Sequence, residues 1–298
     1  MLDVHRVALS LPDGRELEVL EAGERDWPLV VIHNGTPMGA GFLAQHLIDA
    51  EQRRLRLVSY SRPGYGGSTR LPGRDVAQAA SDAAAICDHL GAERFATWGI
   101  SGGGPHALAC AALLPHRVVA AASLAAVAPY DLMAAQFMAG MGEDNVAEFS
   151  AALAGQENLA AFMAPVAKRF AQADVAESVD AMRTLLSPQD VEVFTGAFGE
   201  DMVRAMQDGL RSGFYGWFDD DLAFTGPWGF ALTDIEVPVQ IWQGRHDLMV
   251  PYAHGLCIAD AIPGAESRLS DTDGHLTLYA RRVPEVHDWM ARQLKAAP

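Results

Sequence analysis

Polar and apolar residues alternate over positions 3–9 and 16–21, on either side of a "LPDG" segment. Asp13-Gly14 suits a tight turn, so the chain is expected to open with a β-hairpin. Short unbroken apolar runs follow: "PLVVIH" (28–33), "LRLVSY" (55–60), "RFATWGI" (94–100), "VVAAASLAAV" (118–127) and "PVQIWQG" (238–244). Runs of this length, rich in β-branched residues, predict strands buried on both faces. Helical spacing fills the intervals near 40–50, 75–90 and 103–114, with Asp75 as a candidate N-cap, and returns over 251–262 and 277–294 around a short strand, "ESRLS". Strand alternating with helix predicts a mostly parallel sheet covered on both sides.

The rhythm breaks near Pro129. From 131 to about 218 the chain is rich in Ala, Met and Phe at helical spacing, and no strand is predicted there. The simplest organisation is an α/β core, residues 1–130 and 231–298, carrying a helical cap, 131–230, inserted after the sixth strand. A long insertion of this kind is expected to act as a lid over a pocket. No internal repeat or low-complexity linker is present.

Composition narrows the classes of partner. The 298 residues carry a net charge of −16, which argues against nucleic acid and anionic membranes, and the expected partner is a small-molecule substrate with an apolar portion. No apolar run is long enough to span a bilayer, and the first residues lack a signal-peptide core. Cys87, Cys110 and Cys257 are odd in number and far apart, which fits a reducing compartment rather than a disulfide framework. A cytoplasmic location is expected. No dinucleotide fingerprint and no metal-ligand spacing is found, so no cofactor is expected.

Candidate chemistry centres on "GISGG", Gly99 to Gly103, a G-x-S-x-G match placed where a strand should end and a helix begin. On so tight a turn Ser101 should have strained dihedrals, and Gly99 and Gly103 should let strand and helix pack closely. Pro105 fits the first helical turn, and the helix N-terminus favours negative charge beside the serine. A serine hydroxyl needs a base, and the resulting imidazolium needs a carboxylate. His275 in "DGHL" and Asp247 in "GRHDLMVP" each follow a predicted strand, so all three would meet at the carboxyl ends of parallel strands. Asp131, after the sixth strand, is a rival acid, and Asp271 and Asp273 look like turn residues. Acyl transfer also needs two N–H donors. Gly102, after the serine, should supply one, and Thr36 in "HNGTP" the other, with His33 and Asn34 bracing that loop.

These segments resemble the α/β-hydrolase superfamily over nearly the whole chain. "HNGTP" is similar to its oxyanion loop, with Asn34 where a histidine is common. "YSRPGYGGST" resembles its D-x-P-G-x-G-x-S turn, with Ser61 at the usual aspartate. "GISGG", "GRHDLMVP" and "DGHL" resemble its nucleophile, acid and histidine loops. The resemblance implies a doubly wound, mostly parallel, eight-stranded sheet with a helical cap. It is nearest to capped serine hydrolases of esterase-like activity; epoxide hydrolases and haloalkane dehalogenases differ in needing a carboxylate at position 101. The expected activity is hydrolysis of an ester, thioester, lactone or amide through Ser101, His275 and Asp247. Non-hydrolytic use of the same site is the alternative, and a ligand-binding relative without catalysis a third. The cap aromatics Phe137, Phe162, Phe214, Tyr215, Trp217, Phe218 and Trp228 are candidates for an apolar pocket wall, although packing explains each one singly. Met133, Met138 and Met141 are candidates for the same role or for helix core. The run Asp219-Asp220-Asp221 could meet a cationic substrate, but the expectation is that Asp219 or Asp220 caps a short helix and the others face water.

Overall fold

The computed structural model describes residues 2–296. Among them eight strands form one sheet in the order β1-β2-β4-β3-β5-β6-β7-β8. β1 (Val4–Ser10) and β2 (Glu16–Ala22) make the predicted hairpin, and β2 also pairs antiparallel with β4 (Arg56–Tyr60). β3 (Leu29–His33), β5 (Phe95–Ile100), β6 (Val118–Leu124), β7 (Val239–Gly244) and β8 (Glu266–Ser270) continue it in parallel. The core helices are α1 (Ala44–Arg53), α2 (Gln78–His89) and α3 (Gly104–Leu113). Between β6 and β7 lie α4 (Tyr130–Met133), α5 (Glu143–Leu153), α6 (Gln156–Phe170), α7 (Val175–Ala181), α8 (Pro188–Phe194), α9 (Ala197–Leu210) and α10 (Tyr215–Thr225). α11 (Tyr252–Ala261) and α12 (His275–Ala296) complete the chain.

Side chains alternate across the sheet, and each face builds its own core. Val30, Ile32, Ala96, Trp98, Ala120 and Ala122 pack with α1 and α12, whereas Val31, Val58, Phe95, Ala121, Val239 and Ile241 pack with α2, α3 and α11. This two-sided burial explains why β3, β5 and β6 read as unbroken apolar runs. Trp98, wholly buried at the centre, contributes about 2–3 kcal/mol through the area it removes from water. β8, at the edge, is largely exposed, where the sequence predicts a short strand.

Boundaries shift by a few residues. α2 starts at Gln78 rather than 75, with Asp75 accepting the Gln78 N–H at 3.1 Å. The larger difference is α10, which runs to Thr225 and holds Asp219, Asp220 and Asp221 in its interior.

Candidate active site

Four segments converge at the carboxyl ends of β3, β5, β7 and β8. β5 ends at Ile100, and Ser101 follows with φ +54°, a left-handed conformation that costs a residue with a Cβ about 1–2 kcal/mol. A short turn, Ser101–Gly103, leads into α3. The surrounding glycines are contact points. A Cβ on Gly99 would lie 2.1 Å from the Gly103 carbonyl oxygen, and one on Gly103 would lie 1.9 Å from that of His33. Strand, turn and the loop after β3 therefore touch backbone to backbone, holding Ser101 at the wall of a cavity.

Pro105 occupies the first turn of α3, and His106 Nδ1 donates to the Gly102 carbonyl at 2.8 Å. Burial, and then the charge of Arg62, lower His106 to about 3. Its ring is neutral, with the proton fixed on Nδ1 by that carbonyl, so it braces the turn.

His275 opens α12, and Asp247 lies in the loop after β7. Both are buried, and His275 Nδ1 donates to Asp247 Oδ2 at 2.8 Å. Asp247 is itself held: Oδ1 accepts the N–H groups of Met249 at 2.9 Å and Val250 at 2.7 Å, and Oδ2 accepts Gln243 Nε2 at 3.1 Å. This leaves His275 Nε2 free to accept a proton. Burial by itself lowers the imidazole pKa, but the charge and hydrogen bond of Asp247, with the charge of Asp190, outweigh it and raise it above 6.5. Asp131 is exposed on α4, so the carboxylate at the imidazole is Asp247. Asp271 is exposed beside Arg245, while Asp273 is buried and bound to Arg282 at 2.7 Å.

One cavity of about 230 Å³ is lined by Ser101, Gly102, Gly35, Thr36 and His275. No hydrogen bond joins Ser101 to His275 among the described residues. Such contacts are commonly long in an empty site and close when substrate binds. The opposite walls are mostly apolar and come from the insertion: Phe149, Phe162, Phe170, Met202, Met206, Trp217 and Phe224. Of the predicted aromatics only Phe162 and Trp217 line it; Phe137 and Trp228 are core, and Met133 and Met141 pack there too. The adaptable methionine wall comes instead from Met38, Met182, Met202, Met206 and Met249.

Thr36 and Gly102 face one another, since a Cβ on Gly102 would lie 2.3 Å from Thr36 Oγ1. Asn34 Nδ2 braces this loop by donating to the carbonyls of Gly39 at 2.7 Å and Gly41 at 3.0 Å, as its position in the sequence suggests. The Thr36–Pro37 bond is cis. Ser61, where an aspartate is usual, bonds Glu18 Oε2 at 2.9 Å, and Glu18 also takes the Gly67 N–H at 2.9 Å. The carboxylate missing from this turn is thus supplied by β2.

The three aspartates overturn expectation. At about 100° per residue, neighbours on a helix point in three directions. Asp219 takes Arg70 at 2.8 and 2.9 Å. Asp220 takes Arg62 and Arg74 at 2.6 Å each, Tyr65 at 2.7 Å and the Thr36 hydroxyl at 2.9 Å. Burial would raise Asp220, but the two guanidiniums hold it well below the usual carboxylate range. Asp221 faces the cavity, beside Glu148. None caps a helix or faces water.

Asp190, in α8, was not singled out in the sequence. Its carboxylate accepts the backbone N–H of His275 at 3.1 Å and of Thr277 at 2.8 Å, and the Thr277 hydroxyl at 3.1 Å. Its only local signal was a Ser187-x-x-Asp190 helix start, and nothing there points to a histidine 85 residues on. Among the described residues no group of three or more His, Cys, Asp or Glu could hold a metal ion, and no helix is long and apolar enough to cross a membrane.

Residues 28–281 match the sequence model of a family described as alpha/beta hydrolase fold. The non-heme chloroperoxidase of Streptomyces lividans is 27% identical over 88% of both chains. The uncharacterized hydrolase YcgS of Bacillus subtilis (strain 168) is 26% identical, over 94% of this chain and 95% of its own. The bifunctional esterase/perhydrolase DCH of Acinetobacter calcoaceticus is 29% identical over 41% of this chain and 44% of its own. Among solved structures, a hydrolase from Pseudomonas aeruginosa PA01 superposes with a TM-score of 0.68 at 19% identity, covering 98% of each chain. The enol-lactonase of Burkholderia xenovorans LB400 gives 0.61 at 20%, covering 97% of this chain and all of the other. At such identities the superpositions speak for the fold.

Proposed function

Because the chain belongs to the alpha/beta hydrolase fold family, we propose that it is a serine hydrolase acting on an ester, thioester, lactone or amide with an apolar portion. The observation that carries this reading is a buried imidazole–carboxylate pair, His275 and Asp247 at 2.8 Å, whose imidazole lines the same cavity as a serine on a left-handed turn. In this mechanism Ser101 Oγ attacks the substrate carbonyl while His275 Nε2 takes its proton. The N–H groups of Thr36 and Gly102 hold the oxyanion that develops. Collapse breaks the bond to the leaving group, which departs with the proton from His275. Water, deprotonated by the same nitrogen, attacks the acyl-enzyme, and the second tetrahedral intermediate releases the acid and restores Ser101. Throughout, Asp247 fixes the tautomer and stabilises the imidazolium.

An activity screen across acyl-chain length, together with labelling by a fluorophosphonate probe, tests this. Ser101→Ala should abolish both turnover and labelling; full activity in that variant overturns the mechanism.

A second reading, non-hydrolytic acyl transfer from the same acyl-enzyme, draws support from relatives named as a perhydrolase and a chloroperoxidase. Reaction in isotopically labelled water separates the two, because hydrolysis places solvent oxygen in the acid and transfer to another nucleophile does not.

A further inference from the structure

We propose that Asp221 and Glu148 form a subsite for a protonated amine carried by the substrate, a reading that rests on the hydrolase assignment above and narrows its substrate class. Helix α10 presents Trp217, Asp221 and Phe224 on one face, at spacings of four and three residues, and all three line the cavity. Phe224 reaches the candidate oxyanion donors, since a Cβ on Gly102 would lie 3.1 Å from its ring. Asp221 therefore sits along the same wall as the reacting centre. It is 1% exposed, and its Oδ2 has no hydrogen-bond donor among the described residues.

The neighbour of Asp221 is a second carboxyl group. Glu148, half-buried on α5, also lines the cavity and accepts the Trp217 indole N–H at 2.6 Å. Unlike Asp219 and Asp220, which are matched by arginines, this pair has no cation of its own among the described residues. Among the described residues the guanidinium on the cavity wall is that of Arg169, which is mostly exposed and bound to Asp180 at 2.8 Å. Burial, and then the charge of Glu148, raise Asp221 well above the usual carboxylate range, and burial raises Glu148 as well. A desolvated negative charge with an idle acceptor oxygen is costly. A ligand N–H⁺ supplies both missing parts, a donor for the acceptor and a positive charge for the pair, and an anionic or wholly apolar group supplies neither. The aromatic walls Trp217, Phe149 and Phe170 suit the methyl or methylene groups around such a nitrogen and favour its charge.

The test separates this subsite from the hydrolase reading by measuring binding in Ser101→Ala, which needs no turnover. Two matched pairs of esters place the amine on either side of the ester bond: dimethylaminoethyl butyrate against its carbon isostere isoamyl butyrate, and methyl dimethylaminobutyrate against its carbon isostere. In at least one pair the amine should bind about tenfold or more tightly at neutral pH. Asp221→Asn, which replaces the idle acceptor, and Glu148→Gln, which removes the neighbouring charge, each added to Ser101→Ala, should lower that ratio, and the two together should bring it close to one. Asn matches a protonated aspartate in shape, and thermal melts report whether each variant is folded. Equal binding within both pairs, or a preference untouched in both folded variants, overturns the subsite. Turnover of the same esters by the unaltered protein is read separately. A binding preference without turnover or probe labelling refutes the hydrolase assignment and leaves the amine subsite standing; turnover without preference does the reverse.

Discussion

The hydroxyl of Thr36, in the loop after β3, donates to Oδ2 of Asp220, in the interior of α10, at 2.9 Å. One carboxylate thus ties a candidate oxyanion residue to the helical insertion, and it does so while neutralising Arg62 and Arg74 in a buried setting. Asp220→Asn keeps the shape and removes the charge, leaving two buried guanidiniums uncompensated. The expected loss is about 3–5 kcal/mol of unfolding free energy. In the protein that still folds, kcat should fall more than KM rises, because the positioned donor acts on a charge that exists only in the transition state. Urea denaturation and steady-state kinetics on any ester found to be cleaved check both parts. A variant with unchanged kcat would show that the Thr36 loop holds its position without Asp220.

Arg70→Ala provides the contrast. Arg70 meets Asp219 in a two-pronged contact but is 32% exposed and stacks on Tyr215 near the surface. Asp219 is itself only 2% exposed, but truncating the partly exposed Arg70 opens its carboxylate to water, so the cost stays near the roughly 1 kcal/mol of a screened pair. Its loss should barely move the denaturation midpoint, and a cost as large as that of Asp220→Asn would mean that burial does not set the ranking.

A third expectation concerns pH. The mechanism uses neutral His275 as base, so kcat/KM falls as pH drops through the imidazole pKa. That pKa is raised: burial lowers it, but Asp247 and then Asp190 more than compensate. The acid limb should therefore lie above pH 6.5, the ordinary histidine value. Asp190→Asn removes one raising charge and should move the limb to lower pH, at some cost in kcat because the His275 and Thr277 amides lose a charged acceptor. An acid limb unmoved in Asp190→Asn would show that Asp190 only holds the backbone.

Much of this arrangement was legible before any coordinates. The core strands are short apolar runs because both of their faces are buried, and the chemistry-bearing loops carry glycines and prolines at strand ends, where periodicity stops. Local signals of this kind place Ser101, Asp247 and His275 within three residues of strand or helix ends. Asp219, Asp220 and Asp221 fail for a physical reason. Three adjacent carboxylates read as a solvated run unless counter-charges are known to lie nearby, and those sit on Arg62, Arg70 and Arg74, about 150 residues earlier. A segment with three arginines in thirteen residues, in a chain with a large acidic excess, was the available hint. Asp190 left no comparable trace, because its partners are backbone amides of another segment, which carry no side-chain signature.

The glycines allow the closest test of how the site is held. Gly91 has φ +68° and open space where a Cβ would go, so Gly91→Ala should cost only the left-handed conformation, about 1–2 kcal/mol. At Gly99 the added carbon would meet the Gly103 carbonyl at 2.1 Å, and backbone cannot rotate aside. Gly99→Ala should therefore exceed the roughly 1–3 kcal/mol usual for overpacking, and failure to accumulate folded protein is one form that outcome takes. Gly102 is intermediate. Its new methyl group would meet a side-chain oxygen, Thr36 Oγ1 at 2.3 Å, and the edge of Phe224, both of which can yield. Yielding, however, breaks the Thr36–Asp220 contact and displaces the candidate oxyanion loop. Gly102→Ala should then remain folded, with a melt close to that of Gly91→Ala, while kcat falls by up to about 10²–10³, the scale of losing one oxyanion donor. Thermal melts and ester kinetics on the three variants decide it. Equal melts for all three would show that these backbones are not in rigid contact, and a Gly102→Ala protein with full kcat would remove Thr36 from the reaction.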